Sequence, residues 1–193
     1  MAGPEHERVG GTLYLWIIDK IASLPGHTWR SIEPICSTRF SVPGARSKEG
    51  DEAFGPSTRV GRDAWPSVVM EVGYSETESQ LEMDAYWWLT KSVGKTRFVI
   101  TVKVNRNPFE LKIDCYMMAP PDYFLRNPAT LISRRVQNFR VDAAGNIDSD
   151  LFSTKLHIPY SCIFDEVDGN PGDIEFSLEE IREFALDRFH KLA

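Results

Sequence analysis

Two carboxylates, Asp51 and Glu71, are the residues of this chain whose type and placement best suit chemistry. Each lies within a short strand-like segment, Asp51 in residues 50–56 and Glu71 in residues 66–75. Oxygen ligands suit a hard divalent cation such as Mg²⁺, and a cation held by two carboxylates stabilises charge on the oxygens of a reacting phosphate. The pair therefore predicts a site at which Asp51 and Glu71 could bind Mg²⁺. The alternative for Asp51 is a turn or strand-entry role.

Glu71 stands in an apolar run, residues 68–72, which is too short for a helix and is typical of a buried strand. The two-residue period of a strand places Glu71 and Gly73 on the same face. An ionised carboxylate in such a run needs a partner. Glu71 therefore either pairs structurally with Arg97 or Lys103, or takes part in chemistry.

A helix is predicted after this strand, with Ser75 as its N-cap and residues 92–94 as its end. Four residues spaced i, i+3, i+4 and i+7 form its inward face: Leu81, Asp84, Ala85 and Trp88. Asp84 is therefore expected to point towards the sheet and towards Glu71. Two buried carboxylates in proximity raise the pKa of one of them. This predicts that one of the two is protonated near neutral pH and can act as a general acid.

The remaining elements follow from hydrophobic periodicity and turn residues. An amphipathic helix is predicted at 13–24, and a closing helix follows a capping box that begins at Ser177. Four more strands are predicted at 98–104, 111–118, 136–141 and 156–164, with Pro159 marking the last one as an edge strand. A proline-containing loop is expected around 120–128.

These elements predict one domain over residues 1–193, of the α/β (α+β) class. A mixed central sheet flanked by helices would occupy a core at about 13–104. A C-terminal β extension and a helix would follow at 105–193. No internal repeat is visible in the sequence.

Composition limits the classes of partner. The chain has 42% hydrophobic and 26% charged residues and a net charge of −6, and an acidic balance argues against nucleic acid because phosphate binding needs a basic surface. Three widely spaced cysteines argue against a disulfide framework or a zinc site. No membrane span and no signal peptide are predicted, so we expect a cytoplasmic location. The oligomeric state is not indicated.

Residues 51–104 resemble the PD-(D/E)XK, or restriction-endonuclease-like, superfamily, and are closest to a bacterial endonuclease family and to uncharacterised fungal relatives. Gly50-Asp51-Glu52-Ala53-Phe54 matches the first motif of that superfamily, and residues 66–75 match its Pro-x-x-x-x-Glu-Val strand. Residues 81–89 are similar to the helix that follows in the fungal proteins. The resemblance implies a restriction-endonuclease-like central sheet, with the C-terminal strand pair and helix as additions.

The sequence departs from this pattern at the catalytic lysine. The superfamily carries it two residues after the glutamate, where this chain has Gly73, and the bacterial relatives often carry it on the next helix, where this chain has Asp84. Lys103 on the next strand is the best replacement that the sequence offers. Because a missing preorganised charge slows such a reaction about 100-fold to 1,000-fold, we predict no robust DNA cleavage under ordinary Mg²⁺ conditions.

Three functions are compatible with these patterns. The first is a non-nucleolytic small-molecule enzyme or binding protein on a degenerate nuclease-like fold, such as a cyclase or isomerase in fungal natural-product biosynthesis. It would act without a cofactor on an apolar small molecule. Its catalytic residues would be Glu71, Asp84, Asp51 and Lys103, and its pocket would be lined by Trp65, Trp87, Trp88, Phe98 and Tyr116.

The second function is a Mg²⁺-dependent nuclease with a relocated lysine, in which Asp51 and Glu71 bind the metal. The third is a non-catalytic interaction module, in which the carboxylates are exposed or paired with arginine. An apolar cavity of ligand size beside Glu71 would favour the first function. A basic groove beside two converging carboxylates would favour the second.

Overall fold

The computed structural model of the chain describes residues 4–35, 38–44, 46–59, 61, 64–119, 132–150, 153–166 and 171–192. Its helices are α1 (Pro4–Ser23), a 3-10 turn (Trp29–Ser31), α2 (Glu78–Lys91), the short α3 (Tyr160–Ile163) and α4 (Leu178–Leu192). Its strands are β1 (Ile32–Pro34), β2 (Glu52–Pro56), β3 (Val68–Gly73), β4 (Phe98–Arg106), β5 (Phe109–Ala119), β6 (Ile132–Asp142), β7 (Ile147–Ser149), β8 (Lys155–Ile158) and β9 (Ile174–Ser177).

Seven strands form one mixed sheet in the order β1-β2-β3-β4-β5-β6-β7. The strands β3 and β4 are parallel, and the other neighbours in this sheet are antiparallel. A parallel pair needs a crossover connection, and α2 supplies it. The strands β8 and β9 form a separate antiparallel pair.

Strand alternation divides the buried residues between the two faces of the sheet. Even-numbered residues of β3 and β4, such as Val68 and Phe98, belong to the larger core with α1 and α4. Odd-numbered residues, such as Val69 and Val99, pack against α2 instead. The larger core is continuous from Val9 in α1 to Phe189 in α4. Glu71 is one of the odd-numbered residues of β3, so its side chain points towards α2.

The predicted fold class is confirmed: the chain is an α+β protein with a mixed sheet and flanking helices. The first helix begins earlier than the predicted 13–24, and residues 136–141 form part of the longer β6. The predicted loop at 120–128 lies outside the described residues. None of the helices that the structure describes combines the length and the hydropathy needed to cross a membrane.

Two local predictions are wrong. Residues 156–164 are not one strand, because β8 ends at Ile158 and Pro159 caps the short helix α3. The Tyr160 N–H donates to Asp173 rather than to a strand partner. The N-cap of α2 is Thr77 and not Ser75, since the Thr77 hydroxyl accepts a hydrogen bond from the Gln80 N–H.

Candidate functional site

Lys48 is the centre of a charged cluster on the α2 side of the sheet. Its ammonium nitrogen lies 3.0 Å from Glu71 Oε1 and 3.0 Å from Asp84 Oδ1. The residue stands in the segment between β1 and β2, where its backbone exchanges two hydrogen bonds with Phe40. Its side chain is only 12% exposed. Lys48 therefore supplies a buried positive charge beside Glu71.

Glu71 lies in the fully buried strand β3 and is itself 5% exposed. The Trp88 indole N–H on α2 and the Lys48 ammonium both donate to Glu71 Oε1. Burial raises the pKa of Glu71 to about 7, against the opposing effect of the Lys48 charge, and the neighbouring Asp51 raises it further. Glu71 is therefore a carboxyl group that titrates near neutral pH.

Asp51 immediately precedes β2, which pairs with β3, and this position brings Asp51 next to Glu71. Its Oδ2 accepts a hydrogen bond of 2.7 Å from the Val72 N–H, and its side chain also hydrogen-bonds to Glu71. Burial raises the pKa of Asp51 to about 6, although the Val72 N–H and Lys48 favour the ionised form. Two adjoining strands thus bring together two carboxyl groups that compete for ionisation.

Asp84 reaches the same cluster from α2, but it does not meet Glu71 in the predicted way. The Lys48 ammonium lies between the two carboxylates, and the Arg46 guanidinium also binds Asp84. The carboxyl group that hydrogen-bonds to Glu71 is Asp51. The helix-face prediction holds in part, because Leu81, Ala85 and Trp88 are buried and Asp84 is mostly buried.

The two cations that the sequence offered as structural partners of Glu71 are engaged elsewhere. Lys103 lies on the same face of the sheet, but its ammonium donates to the Tyr74 carbonyl at 2.6 Å. Arg97 pairs with Asp165 and donates to carbonyls of the α3 segment. Neither cation is therefore the group that neutralises Glu71.

The aromatic residues expected around a small-molecule pocket divide between the two faces. Phe98 belongs to the α1 side, because it pairs in register with Val68 and shares its parity. The other four are on the α2 side: Trp65, Trp87, Trp88 and Tyr116. The placement of Phe98 corrects the expected lining, since the parallel register of β3 and β4 decides which residues share a face.

The tryptophans on the α2 side pack against one another. The ring centroids of Trp65 lie 5.8 Å from Trp87 and 6.0 Å from Trp88, and Trp87 and Trp88 are 5.0 Å apart. Phe40 completes this group at 4.6 Å from Trp65. These aromatic rings bury their apolar surfaces against one another. Trp88 connects them to Glu71 through its indole N–H.

Gly73 stands where the resemblance would place a lysine, and Leu81 and Glu76 crowd the space beside it. A Cβ at this position would lie 2.9 Å from Leu81 Cδ1 and 3.3 Å from Glu76 Cβ. Leu81 is buried on α2. The start of α2 therefore occupies the space that a lysine at residue 73 would need.

Asp51 and Glu71 offer Mg²⁺ two neighbouring carboxylates, which is a sparse set of protein ligands. The described residues contain no group of three or more His, Cys, Asp or Glu side chains that could hold a metal ion. Mg²⁺, however, commonly uses one or two carboxylates and completes its shell with water and substrate oxygens. Asp51 and Glu71 would be those ligands, and a bound cation would compete with the protonation of these two carboxyl groups.

Lys48 is the site residue that sequence reasoning missed. It lies in a loop-like segment rich in proline and glycine, three residues before Asp51. Its proximity to Asp51 in the sequence is the one signal that could have identified it.

No protein-family profile matches this chain, and no curated protein is significantly similar to it in sequence. The likeness to the PD-(D/E)XK superfamily stays a prediction from the quoted motifs.

Proposed function

We propose that this protein is a Mg²⁺-dependent hydrolase of phosphodiester bonds in nucleic acid. One observation supports this more than any other: the Lys48 ammonium lies 3.0 Å from Glu71, which is hydrogen-bonded to Asp51. The prediction of no robust DNA cleavage rests on Gly73, which has no side chain to replace the lysine. Lys48 supplies the positive charge from a different segment.

Each residue of the cluster has a role that follows from its chemistry. Asp51 and Glu71 would hold Mg²⁺, which when bound would polarise the phosphate and lower the pKa of a water molecule. Lys48 would stabilise the negative charge that develops on the phosphate oxygens. The Trp88 N–H fixes Glu71 through Oε1.

The order of strands also supports the proposal. Asp51 precedes β2, Glu71 lies in β3, and α2 leads to the parallel strand β4. This is the arrangement that the resemblance implies for a restriction-endonuclease-like core. Arg39 and Arg46 are 70% and 64% exposed and lie in the same segment as Lys48. Each of them is paired with a carboxylate, Arg39 with Glu49 and Arg46 with Asp84.

A small-molecule acid catalyst is the second candidate, because burial raises the pKa of Glu71 to about 7 and the Trp88 N–H orients its carboxyl group. Such a group could donate a proton near neutral pH. The mutual packing of Trp65, Trp87 and Trp88 favours the hydrolase instead, since these rings cover the apolar surface that a substrate would use.

The test is an incubation of the pure protein with single-stranded and duplex DNA and RNA, with Mg²⁺ or Mn²⁺, between pH 6 and pH 9. We expect cleavage that increases with pH as the cation displaces protons from Asp51 and Glu71. Lys48→Gln should lower the rate about 100-fold to 1,000-fold. Glu71→Gln should abolish metal-dependent cleavage.

Lys155→Gln is the matched control, because Lys155 forms an exposed pair with Glu175 on the separate β8–β9 sheet. It should cleave at the rate of the unsubstituted protein. Absence of cleavage with either metal over the whole pH range would contradict the proposal. Cleavage that survives in Lys48→Gln and Glu71→Gln would contradict it as well.

A further inference from the structure

The side chain of Lys48 is held at two points that belong to different elements. Glu71 on β3 contacts its ammonium from one side, and Asp84 on α2 contacts it from the other, each at 3.0 Å. The same Asp84 oxygen also binds the exposed guanidinium of Arg46. The Lys48 backbone exchanges its hydrogen bonds with Phe40, which belongs to the same segment between β1 and β2.

We propose that Asp84 is a positioning residue that holds the Lys48 ammonium against Glu71 and ties the loop carrying Arg46 and Lys48 to α2. The importance of this role for catalysis rests on the proposed hydrolase function. The positioning itself is a property of the folded protein, whatever reaction the protein performs.

Charge balance within the loop makes Asp84 necessary. Arg46 and Lys48 are two residues apart, and both cations converge on Asp84 Oδ1. Without this carboxylate the two cations would repel each other. The exposed Arg46 can turn towards solvent, and a released Lys48 can leave Glu71 along with it, since a lysine side chain has many accessible rotamers.

Glu71 alone would hold Lys48 less firmly than the two carboxylates together. Its Oε1 already accepts the Trp88 N–H, so the Lys48 ammonium shares that oxygen with a second donor. Asp84 supplies the other contact of the ammonium, also at 3.0 Å, from a different element. The accessibility of the Lys48 ammonium therefore reports on whether Asp84 holds it in place.

The direct test is the rate at which an amine-acylating reagent modifies Lys48 in the full chain, measured by mass spectrometry of the digested protein. The Lys48 side chain is 12% exposed in the unsubstituted protein and should react slowly. In Asp84→Asn we expect Lys48 to react several-fold faster, because its ammonium loses one of its two carboxylate contacts. Asp84→Glu, which keeps the charge, should restore the slow reaction.

Glu78→Gln is the matched control. Glu78 lies on the same helix and pairs with Lys112 on β5. Its loss removes one helix carboxylate and one ion pair, but it should leave the modification rate of Lys48 unchanged. A purely structural role of Asp84 would make the two substitutions equivalent.

A charge exchange gives a second, independent variant. In Lys48→Glu combined with Asp84→Lys, the ammonium would reach Glu71 from α2 instead of from the loop. The exchanged variant should regain at least tenfold of the cleavage rate lost in Lys48→Glu alone, with the change in kcat rather than in KM.

An unchanged modification rate of Lys48 in Asp84→Asn would overturn the proposal. A loss of Mg²⁺ affinity in Asp84→Asn that exceeds the loss in Lys48→Gln would overturn it too, since Asp84 would then be a ligand. If the protein cleaves no nucleic acid at all, the modification rate of Lys48 still tests the positioning. Failure of the hydrolase function and failure of this inference are therefore distinguishable.

Discussion

At the scale of single residues, Glu71 is a group whose protonation couples the site to the stability of the whole chain. Burial raises its pKa from an ordinary value of 4.5 to about 7. The folded chain therefore binds this proton more tightly than the unfolded chain does. The resulting stabilisation is complete below about pH 4.5 and is lost as the pH rises through 7.

We predict that Glu71→Gln flattens the pH dependence of stability. The amide keeps an acceptor for the Trp88 N–H but has no proton to lose, so the free energy of unfolding should fall less between pH 5 and pH 8. The remaining fall should come from Asp51, whose pKa is also raised by burial. The difference from the unsubstituted protein would reach roughly 3 kcal/mol at the alkaline end. Urea unfolding at a series of pH values measures it.

The exposed Glu175 provides the comparison for this measurement, since it pairs with Lys155 away from the site. Glu175→Gln should retain the original slope against pH. A slope in Glu71→Gln that equals that of the unsubstituted protein would show that Glu71 is ionised in the folded state at all these pH values.

At the scale of elements, α2 determines the geometry of the site. It brings Trp88 and Asp84 to the cluster, and its residue Leu81 closes the space over Gly73. The register of this face depends on where the helix begins. A capping box sets that point: the Thr77 hydroxyl accepts from the Gln80 N–H, and the Gln80 side chain accepts from the Thr77 N–H.

We predict that Thr77→Ala lowers the free energy of unfolding by about 1 kcal/mol, because the helix loses its side-chain cap. Ser75→Ala is the matched control, since Ser75 is exposed and precedes the cap. Its effect should stay within about 0.5 kcal/mol. Denaturant unfolding of both variants measures the difference, and a larger loss in Ser75→Ala would contradict the assignment of the cap.

At the scale of the whole molecule, one hydrophobic core joins the beginning and the end of the chain. Phe184 in α4 is buried in the same core as Ile17 in α1 and Met70 in β3. The opposite side of β3 carries Glu71 and packs on α2. The C-terminal helix therefore supports the strand on which the site is built.

We predict that Phe184→Ala destabilises the whole sheet and not only the C-terminal elements. The cavity in the shared core should cost about 3–5 kcal/mol. Amide hydrogen exchange should then accelerate alike in β3 and in β9, because a common core makes the chain unfold as one unit. Leu15→Ala, at an exposed position of α1, should leave the exchange rates unchanged.

Protection that falls in β9 but persists in β3 would contradict this prediction. It would show that the C-terminal elements open separately from the sheet, in which case the predicted single domain would consist of two cooperative units.

Features that depend on residues close together in the sequence could be predicted from it. The apolar run around Glu71 gives β3, the inward face of α2 follows from its spacing, and the Ser177 capping box opens α4 as expected. These features follow from periods of two and 3.6 residues and from short side-chain contacts to the backbone. Serine and threonine are both preferred N-cap residues, so the sequence alone did not distinguish Thr77 from Ser75.

The sequence by itself indicated Asp51 and Glu71 as candidate site residues, together with the strand of Glu71 and the helix that follows it. Each of these features depends on residues within one helical turn or a few strand positions. Only the tertiary structure decided that Lys48 contacts Glu71, since that contact joins a loop, a strand and a helix. It also decided that Phe98 lies on the opposite face, because the register between β3 and β4 is set by the packing of α2 and the core. Lys48 lies in a loop, where charged residues follow no periodic pattern. Its contacts could therefore be identified only from the tertiary structure.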